Sequence, residues 1–165
     1  MTRFSRSIAA LTAVLLILSG QMATAETGIQ IKDPYARVIG VSAKSGAVFM
    51  TILNDAPTDD RLLSVATDAA TRAELHTHSE DANGVMRMGK VTDGFAIPGA
   101  QTHMLDRGGD HIMLLGLTKP LSPGDTITLT LTFAQQGAVT IKVPVDNDRA
   151  AAPVDHGAHG MPKPD

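Results

Sequence analysis

The sequence contains no cysteine and no tryptophan, and it has only one tyrosine and four phenylalanines in 165 residues. The absence of cysteine excludes disulfide cross-links and thiolate chemistry. It also excludes a blue-copper electron-transfer site, because that type of site needs a cysteine ligand. With so few aromatic side chains, the hydrophobic core must consist mainly of aliphatic residues.

The first 25 residues have the three-part pattern of a secretory signal peptide. Arg3 and Arg6 give a positive start, an apolar run covers residues 8–18, and small residues lead up to Ala25. The apolar run is shorter than the roughly 20 residues of a membrane span, and no cysteine follows it to carry a lipid anchor. We expect cleavage after Ala25 and export to the periplasm; an uncleaved membrane anchor is the alternative.

The expected mature chain is 165 residues less 25, or 140 residues, which suits one domain. Without Arg3 and Arg6 it keeps 12 basic and 17 acidic side chains, a net charge of −5. This acidic balance argues against nucleic acid or an anionic membrane as a partner. We expect a domain over residues 26–148 and a flexible tail over residues 149–165, because the tail is mostly Pro, Gly, Asp and His.

Short strand patterns separated by turn signals run through the mature sequence. The clearest covers residues 126–133, where apolar residues alternate with threonines; after a turn at 135–137, a second alternating segment covers 139–145. No stretch has a sustained period of 3.6 residues, so we expect an all-β sandwich or barrel. The other predicted strands cover residues 29–39, 46–53, 62–66, 73–78, 85–91, 95–97, 102–105 and 111–115.

Three pairs of side chains that can bind metals are spaced two residues apart. They are His76 with His78, Met86 with Met88, and His111 with Met113. Residues two apart on a strand share a face, so six imidazole and thioether groups could converge on one patch. Such a donor set without thiolate favours Cu(I). Core packing is the alternative for any one Met-x-Met pair, but two of the three pairs contain histidine.

The residues between the candidate ligands predict which way these side chains point. Leu75, Ile112 and Leu114 alternate with them and are the natural core residues, so the histidines and methionines would point outward or toward one end of the sandwich. This pattern includes no carboxylate and no obvious acid–base pair. A further pair, His103-Met104, is expected to be incidental, because adjacent residues on a strand face opposite ways.

The turn at Asn83-Gly84 decides whether the histidines and methionines can meet. As a two-residue hairpin turn, which this dipeptide favours, it would leave the histidine pair and the methionine pair on opposite faces, because a one-residue change of register flips every side chain. We therefore predict that this simple hairpin does not form. The expected register sets His76 opposite Met88 and His78 opposite Met86.

A family resemblance is carried by Glu74-Leu75-His76, by Gly84-Val85-Met86-Arg87-Met88 and by residues 108–117. These segments resemble the periplasmic PCuAC-type copper chaperones. That family has a cupredoxin-like Greek-key β-sandwich and a Cu(I) site of the form His, ten residues, Met, twenty-one residues, His-x-Met. Eleven and twenty-two residues fill the two gaps here. The metal ligands that the resemblance implies are His76, Met88, His111 and Met113.

The resemblance also implies a function and a recipient. The protein would deliver Cu(I) to cytochrome oxidase assembly, particularly its dinuclear copper centre, through a cytochrome oxidase subunit or another assembly factor. It would not be an enzyme. The alternatives are a periplasmic copper buffer for resistance and a copper-dependent oxidase or dismutase, although enzymatic copper sites usually need several histidines and an open position.

Further side chains are secondary candidates for metal binding. His78 and Met86 do not match required ligand positions of the family and are supporting or alternative ligands. The tail holds His156, His159 and Met161, which are either part of a solvated end or a second, looser site that takes Cu(II) through imidazole.

Overall fold

A computed structural model of the protein describes residues 28–40, 42–80 and 83–150. The predicted signal peptide with its cleavage site at Ala25, and the tail residues His156, His159 and Met161, lie outside the described residues. The described chain forms ten β-strands and contains no helix. They are β1 (Ile29–Arg37), β2 (Ser45–Asn54), β3 (Asp60–Thr67), β4 (Ala70–Glu80), β5 (Met86–Lys90), β6 (Phe95–Ile97), β7 (Gln101–Leu105), β8 (His111–Leu117), β9 (Thr126–Phe133) and β10 (Gly137–Pro144).

The strands form two antiparallel sheets. The larger sheet has the order β1-β2-β8-β4-β5, and β7 pairs with β2 beyond the end of β8; the smaller sheet has the order β10-β9-β3-β6. Neighbours in these sheets are often distant in sequence, as the crossover connections of a Greek-key sandwich require. The predicted all-β sandwich is therefore confirmed.

The core lies between the sheets and is mostly aliphatic. The inward residues of β9 are buried and the threonines between them are not, as the alternation predicts. The most completely buried apolar side chains are Val48, Ile52, Leu62, Ile97, Ile112, Leu114, Leu129, Leu131 and Val143. Burial of each of these side chains stabilises the fold by roughly 1.5–3 kcal/mol relative to an exposed position, so this layer holds the two sheets together.

The first strand has an irregularity that its proline predicts. Pro34 cannot donate a backbone hydrogen bond, so edge strands and bulges are where it is tolerated. In the structure β1 is an edge strand, and its register with β2 shifts between Lys32 and Tyr35, with Asp33 at a φ of 47°. The predicted strand over residues 29–39 is present, although it ends at Arg37 rather than at residue 39.

One buried carboxylate was not anticipated from the sequence. Asp60 accepts hydrogen bonds from the backbone N–H groups of Arg61 (2.7 Å), Gln135 (2.8 Å) and Gln136 (2.9 Å). Burial pushes the pKa of Asp60 upward, but the backbone hydrogen bonds outweigh this and the net pKa is lowered. Asp60 thus joins the start of β3 to the turn between β9 and β10.

Candidate metal centre

The pairing of β4 with β5 brings the histidine and methionine pairs together. His78 lies opposite Met88, His76 opposite Lys90 and Glu80 opposite Met86. The expected register, with His76 opposite Met88, is therefore wrong by two residues. A two-residue shift keeps every side chain on its own face, so the histidines and methionines still share one side of the sheet.

The same pairing also tests the predicted turn. Five residues, 81–85, separate Glu80 from Met86, the last residues that pair. Gly84 has a φ of 78°, a conformation that glycine adopts without strain. The prediction that Asn83-Gly84 does not form a two-residue hairpin turn is confirmed, because five residues rather than two separate the last paired residues, Glu80 and Met86.

The pairing of β4 with β8 adds the third pair of candidate ligands. His76 lies opposite His111, and the neighbouring Leu75 lies opposite Ile112. Leu75 and Ile112 are buried in the core, so the two histidines face the outer side of the sheet. Since Met113 is two residues from His111, all six side chains lie on this outer face, and we call them the outer-face cluster.

The outer-face cluster runs from a buried end to an exposed end. His111 is only 3% exposed, whereas Met86 and Met88 on the edge strand β5 are 54% and 50% exposed. Met113 is half-buried. Core packing therefore does not explain the Met86 and Met88 pair, and the thioethers lie where another molecule could reach them.

Two histidines of the cluster share one hydrogen-bond acceptor. The Nδ1 atoms of His78 and His111 lie 3.3 Å and 3.0 Å from the carbonyl oxygen of Gly109, and the two rings stack with centroids 5.1 Å apart. A carbonyl oxygen can only accept, so each Nδ1 carries the proton. The Nε2 lone pair of each ring is then available to a metal ion.

Burial keeps His111 in the form that binds metals. Desolvation lowers the pKa of His111, and the nearby imidazoles of His78 and His76 lower it further, against the hydrogen bond to Gly109, which raises it. The net lowering favours neutral imidazole, which is the state that a metal ligand must have.

A carboxylate lies within the cluster, contrary to the sequence argument. Glu74 is opposite Met113 across β4 and β8, and its Oε2 is 3.1 Å from Nε2 of His76. Its Oε1 is 3.1 Å from Nζ of Lys90 and 3.6 Å from Nη1 of Arg72. The hydrogen bond with His76, followed by that with Lys90, lowers the pKa of Glu74. The sequence could have predicted this position, because Glu74 precedes His76 by two residues and therefore shares its face of the strand.

The second ring nitrogen of His76, Nδ1, shows whether this cluster could accept a metal ion. Nδ1 of His76 is buried and has no hydrogen-bond partner among the described residues. Buried polar atoms are nearly always paired, and leaving one unpaired costs about 1–3 kcal/mol. An electron-pair acceptor such as a metal ion would satisfy this atom, so the donor set fits one.

The histidines and carboxylates of the outer face do not form a metal site by themselves. In the part of the chain that the structure describes, no group of three or more His, Asp and Glu side chains is arranged to hold a metal ion. The thioethers of Met88 and Met113 would complete the ligand set. Imidazole combined with thioether suits soft Cu(I).

The His103-Met104 pair is split between two faces, as expected. His103 lies opposite Ile52 and stacks on Phe95 with ring centroids 5.3 Å apart, whereas Met104 lies opposite Thr51 on the other face. Nε2 of His103 is 3.1 Å from Oδ2 of Asp110, an ion-pair distance without hydrogen-bond geometry. This contact places His103 beside the residue that follows Gly109.

The predicted ligands His76, Met88, His111 and Met113 therefore lie on one face, together with His78 and Met86. Their role as metal ligands stays a prediction.

The described chain ends at Ala150, after Arg149, whose guanidinium lies 4.7 Å from the ring centroid of Tyr35. In the described ranges, no helix has the length and apolar character needed to cross a membrane.

Comparisons with known proteins agree with the fold and identify a family. Residues 29–145 match the family described as "Putative lipoprotein LpqE-like". A relative from Leifsonia xyli subsp. xyli, "Putative lipoprotein Lxx21020", is 32% identical over 157 residues, covering 88% of this chain and 93% of the relative. A second relative, the "Uncharacterized protein RP573" of Rickettsia prowazekii, is 29% identical over 133 residues, covering 79% of this chain and 73% of the relative.

Two solved structures have the same architecture. The copper-bound PCuAC domain from PmoF2 matches with a TM-score of 0.59 at 24% identity, over 72% of this chain and 92% of that domain. The solution structure of CuI-DR1885 from Deinococcus radiodurans matches with a TM-score of 0.57 at 29% identity, over 78% of this chain and 86% of that protein. The predicted cupredoxin-like sandwich and the resemblance to PCuAC domains are confirmed, and the chain belongs to the LpqE-like family.

Proposed function

We propose that this protein is a periplasmic copper carrier that binds Cu(I) through His76, Met88, His111 and Met113. The observation that supports this most is the convergence of the three ligand pairs on the outer face of the larger sheet. Further support comes from the solved structures with this fold, two of which are described as copper-bound or Cu(I)-bound.

The chemistry of the cluster suits a carrier of Cu(I). Thioethers are soft ligands with no proton to lose, and unlike thiolates they form no disulfides in an oxidising compartment. Methionine can still be oxidised to the sulfoxide, so the site is not inert. The copper ion is cargo, held between buried His111 and exposed Met88, and a recipient could take it by ligand exchange from the exposed side.

The proposed recipient is the dinuclear copper centre of cytochrome oxidase, reached through an oxidase subunit or another assembly factor. The resemblance to PCuAC-type chaperones supports this proposal. A strain that lacks the gene should lose oxidase activity at low copper. Copper sensitivity with normal oxidase activity would instead favour a copper buffer for resistance.

Export and catalysis need separate tests. Mass spectrometry of the protein from the periplasmic fraction should give a first residue of Glu26, as cleavage after Ala25 requires. Copper-loaded protein should show no oxidase or dismutase turnover above that of free copper. Sustained turnover would favour a copper-dependent redox enzyme instead.

We assign secondary roles to the remaining candidates. His78, opposite Met88, and Met86 would be alternative ligands during transfer. His156, His159 and Met161 would form a looser site for Cu(II). Truncation after Val154 should then lower the amount of Cu(II) bound per chain while Cu(I) affinity stays the same; unchanged Cu(II) binding would contradict a tail site.

The ligand assignment is tested by Cu(I) titration against a competing chelator. Met88→Ala, Met113→Ala and His111→Ala should each weaken binding about tenfold or more, since even the loss of an outer partner of a ligand costs about 10–100-fold. Met104→Ala is the matched control, because Met104 is 52% exposed on the same sheet but pairs with Thr51, outside the cluster. Unchanged affinity in all three ligand variants would reject the site.

A further inference from the structure

Glu74 links two side chains on neighbouring strands of the larger sheet. Its carboxylate is mostly shielded, with 13% of the side chain exposed, and it contacts His76 on the same strand and Lys90 on β5. His76 and Lys90 are themselves directly opposed across β4 and β5. One carboxylate therefore connects the orientation of His76 to the strand that carries Met88.

The contact with Glu74 determines which nitrogen of His76 is protonated. An ionised carboxylate can only accept hydrogen bonds, so Nε2 of His76, at 3.1 Å, is the donor. In the neutral ring the lone pair then lies on Nδ1. That atom is buried and lacks a hydrogen-bond partner within the described part of the chain.

The two neighbouring histidines have the opposite arrangement. His78 and His111 both direct Nδ1 to the carbonyl of Gly109, which leaves Nε2 as the free nitrogen. In their neutral forms, the three imidazoles of the cluster would therefore include both tautomers. A carboxylate sets one, and a backbone carbonyl sets the other.

We propose that Glu74 is a positioning residue that makes His76 present Nδ1 to the metal, whereas His111 presents Nε2. This inference rests on the proposed function, because it concerns how the same site is assembled. Partners that accept the second N–H of a ligating histidine fix its tautomer and ring orientation, and their loss typically lowers metal affinity about 10–100-fold. The Lys90 contact extends this positioning to β5.

The tautomers can be measured without copper. In protein labelled with ¹⁵N in histidine, long-range ¹H–¹⁵N correlation spectra should show the Nε2–H form for His76 and the Nδ1–H form for His111. Glu74→Ala should convert His76 to a mixture of tautomers and leave His111 unchanged. The Nδ1–H form at His76 in the wild type would overturn the proposal.

Copper affinity provides the second measurement. Glu74→Ala should weaken Cu(I) binding about 10–100-fold, in a protein whose circular dichroism shows that it is still folded at the temperature of the titration. The matched control is Arg72→Ala, which removes a 65% exposed cation at 3.6 Å from the same carboxylate; it should change affinity less than about threefold, as expected for a surface ion pair. Normal Cu(I) binding by both variants would overturn this inference alone, whereas no Cu(I) binding by the wild type would overturn the proposed function.

Discussion

The β9–β10 hairpin and the β4–β5 hairpin are both antiparallel, but they differ in how many of their side chains are buried in the core. In β9 every second side chain is buried in the core, whereas all five residues of β5 are exposed. A one-residue slip of β9 would expose its apolar set, so burial fixes the register of β9–β10. In β4–β5 no buried side chain of β5 fixes the register, and cross-strand contacts such as that of Lys90 with Glu74 join the two strands instead.

This difference separates stability from function. The hairpin that holds the sandwich together carries no candidate ligand, and the hairpin that carries Met88 contributes no buried side chain from β5. Strands with few buried contacts open at lower free energy than core strands. For the proposed carrier this division would be an advantage, because the methionine side chains on β5 could move during transfer while the core stays intact.

The largest effect should come from the buried side of β9. Leu131 is fully buried, and Leu131→Ala should lower the free energy of unfolding by about 2–5 kcal/mol, because it leaves a cavity. Denaturant titration measures this. Thr132→Ala, on the other face of the same strand, should change the free energy by less than about 1 kcal/mol, and equal losses in both variants would contradict the comparison.

A smaller and pH-dependent effect is expected at Asp60, which ties β3 to the β9–β10 turn. Asp60→Asn should cost about 1–3 kcal/mol at neutral pH, because an amide cannot accept all the backbone N–H groups that face the carboxylate. The pKa of Asp60 in the folded protein lies below its ordinary value of 3.8. The ionised carboxylate therefore stabilises the fold above that pH, and this contribution is lost as the pH falls through the folded-state pKa.

The measurement is a series of denaturant titrations of the wild type and Asp60→Asn at neutral and acidic pH. The difference between the two proteins should shrink below about pH 3.8. Asp68→Asn, at an exposed aspartate, serves as the control and should follow the wild type. A difference between wild type and Asp60→Asn that is the same at every pH would argue against the role assigned to this carboxylate.

A local effect is expected at Lys90. Lys90→Ala removes the contact between Nζ and Oε1 of Glu74, one of the cross-strand contacts that holds β5 against β4. Backbone amides of β5 should then exchange with solvent faster, while those of β9 and β10 keep their protection. Equal exchange of β5 in both proteins, measured by NMR, would mean that this contact does not hold the edge strand.

The smallest effect on stability is expected at Met88. Because this side chain is 50% exposed, Met88→Ala should change the free energy of unfolding of the copper-free protein by less than about 0.5 kcal/mol. Denaturant titration without copper measures it. A loss comparable to that of Leu131→Ala would show that Met88 packs as a core residue, against the comparison of the two hairpins.

Burial explains which features the sequence could predict. Strand β9 has the predicted bounds, Thr126–Phe133, because its alternation of apolar and threonine side chains matches its two environments. The shared face of the ligand pairs also follows from two-residue spacing. The β4–β5 register was missed by two residues, since no buried side chain of β5 marks it.

Other features depend on contacts that no local pattern contains. Asp60 receives its hydrogen bonds from Gln135 and Gln136, 75 and 76 residues away. The acceptor shared by His78 and His111 is a backbone carbonyl, that of Gly109, and a sequence does not show where a carbonyl points. The two-residue spacing between Glu74 and His76 predicts that they share a face, but Glu74 lies outside the family's ligand pattern.

In the proposed site, imidazoles and thioethers on one sheet face bind Cu(I) together. X-ray absorption spectroscopy of the Cu(I)-loaded protein tests it most directly, because sulfur and nitrogen neighbours of copper scatter differently. We predict both sulfur and nitrogen bonded to the copper in the wild type, and loss of sulfur scattering in the double variant Met88→Ala, Met113→Ala. A copper ion bound only by nitrogen and oxygen in the wild type would contradict the account.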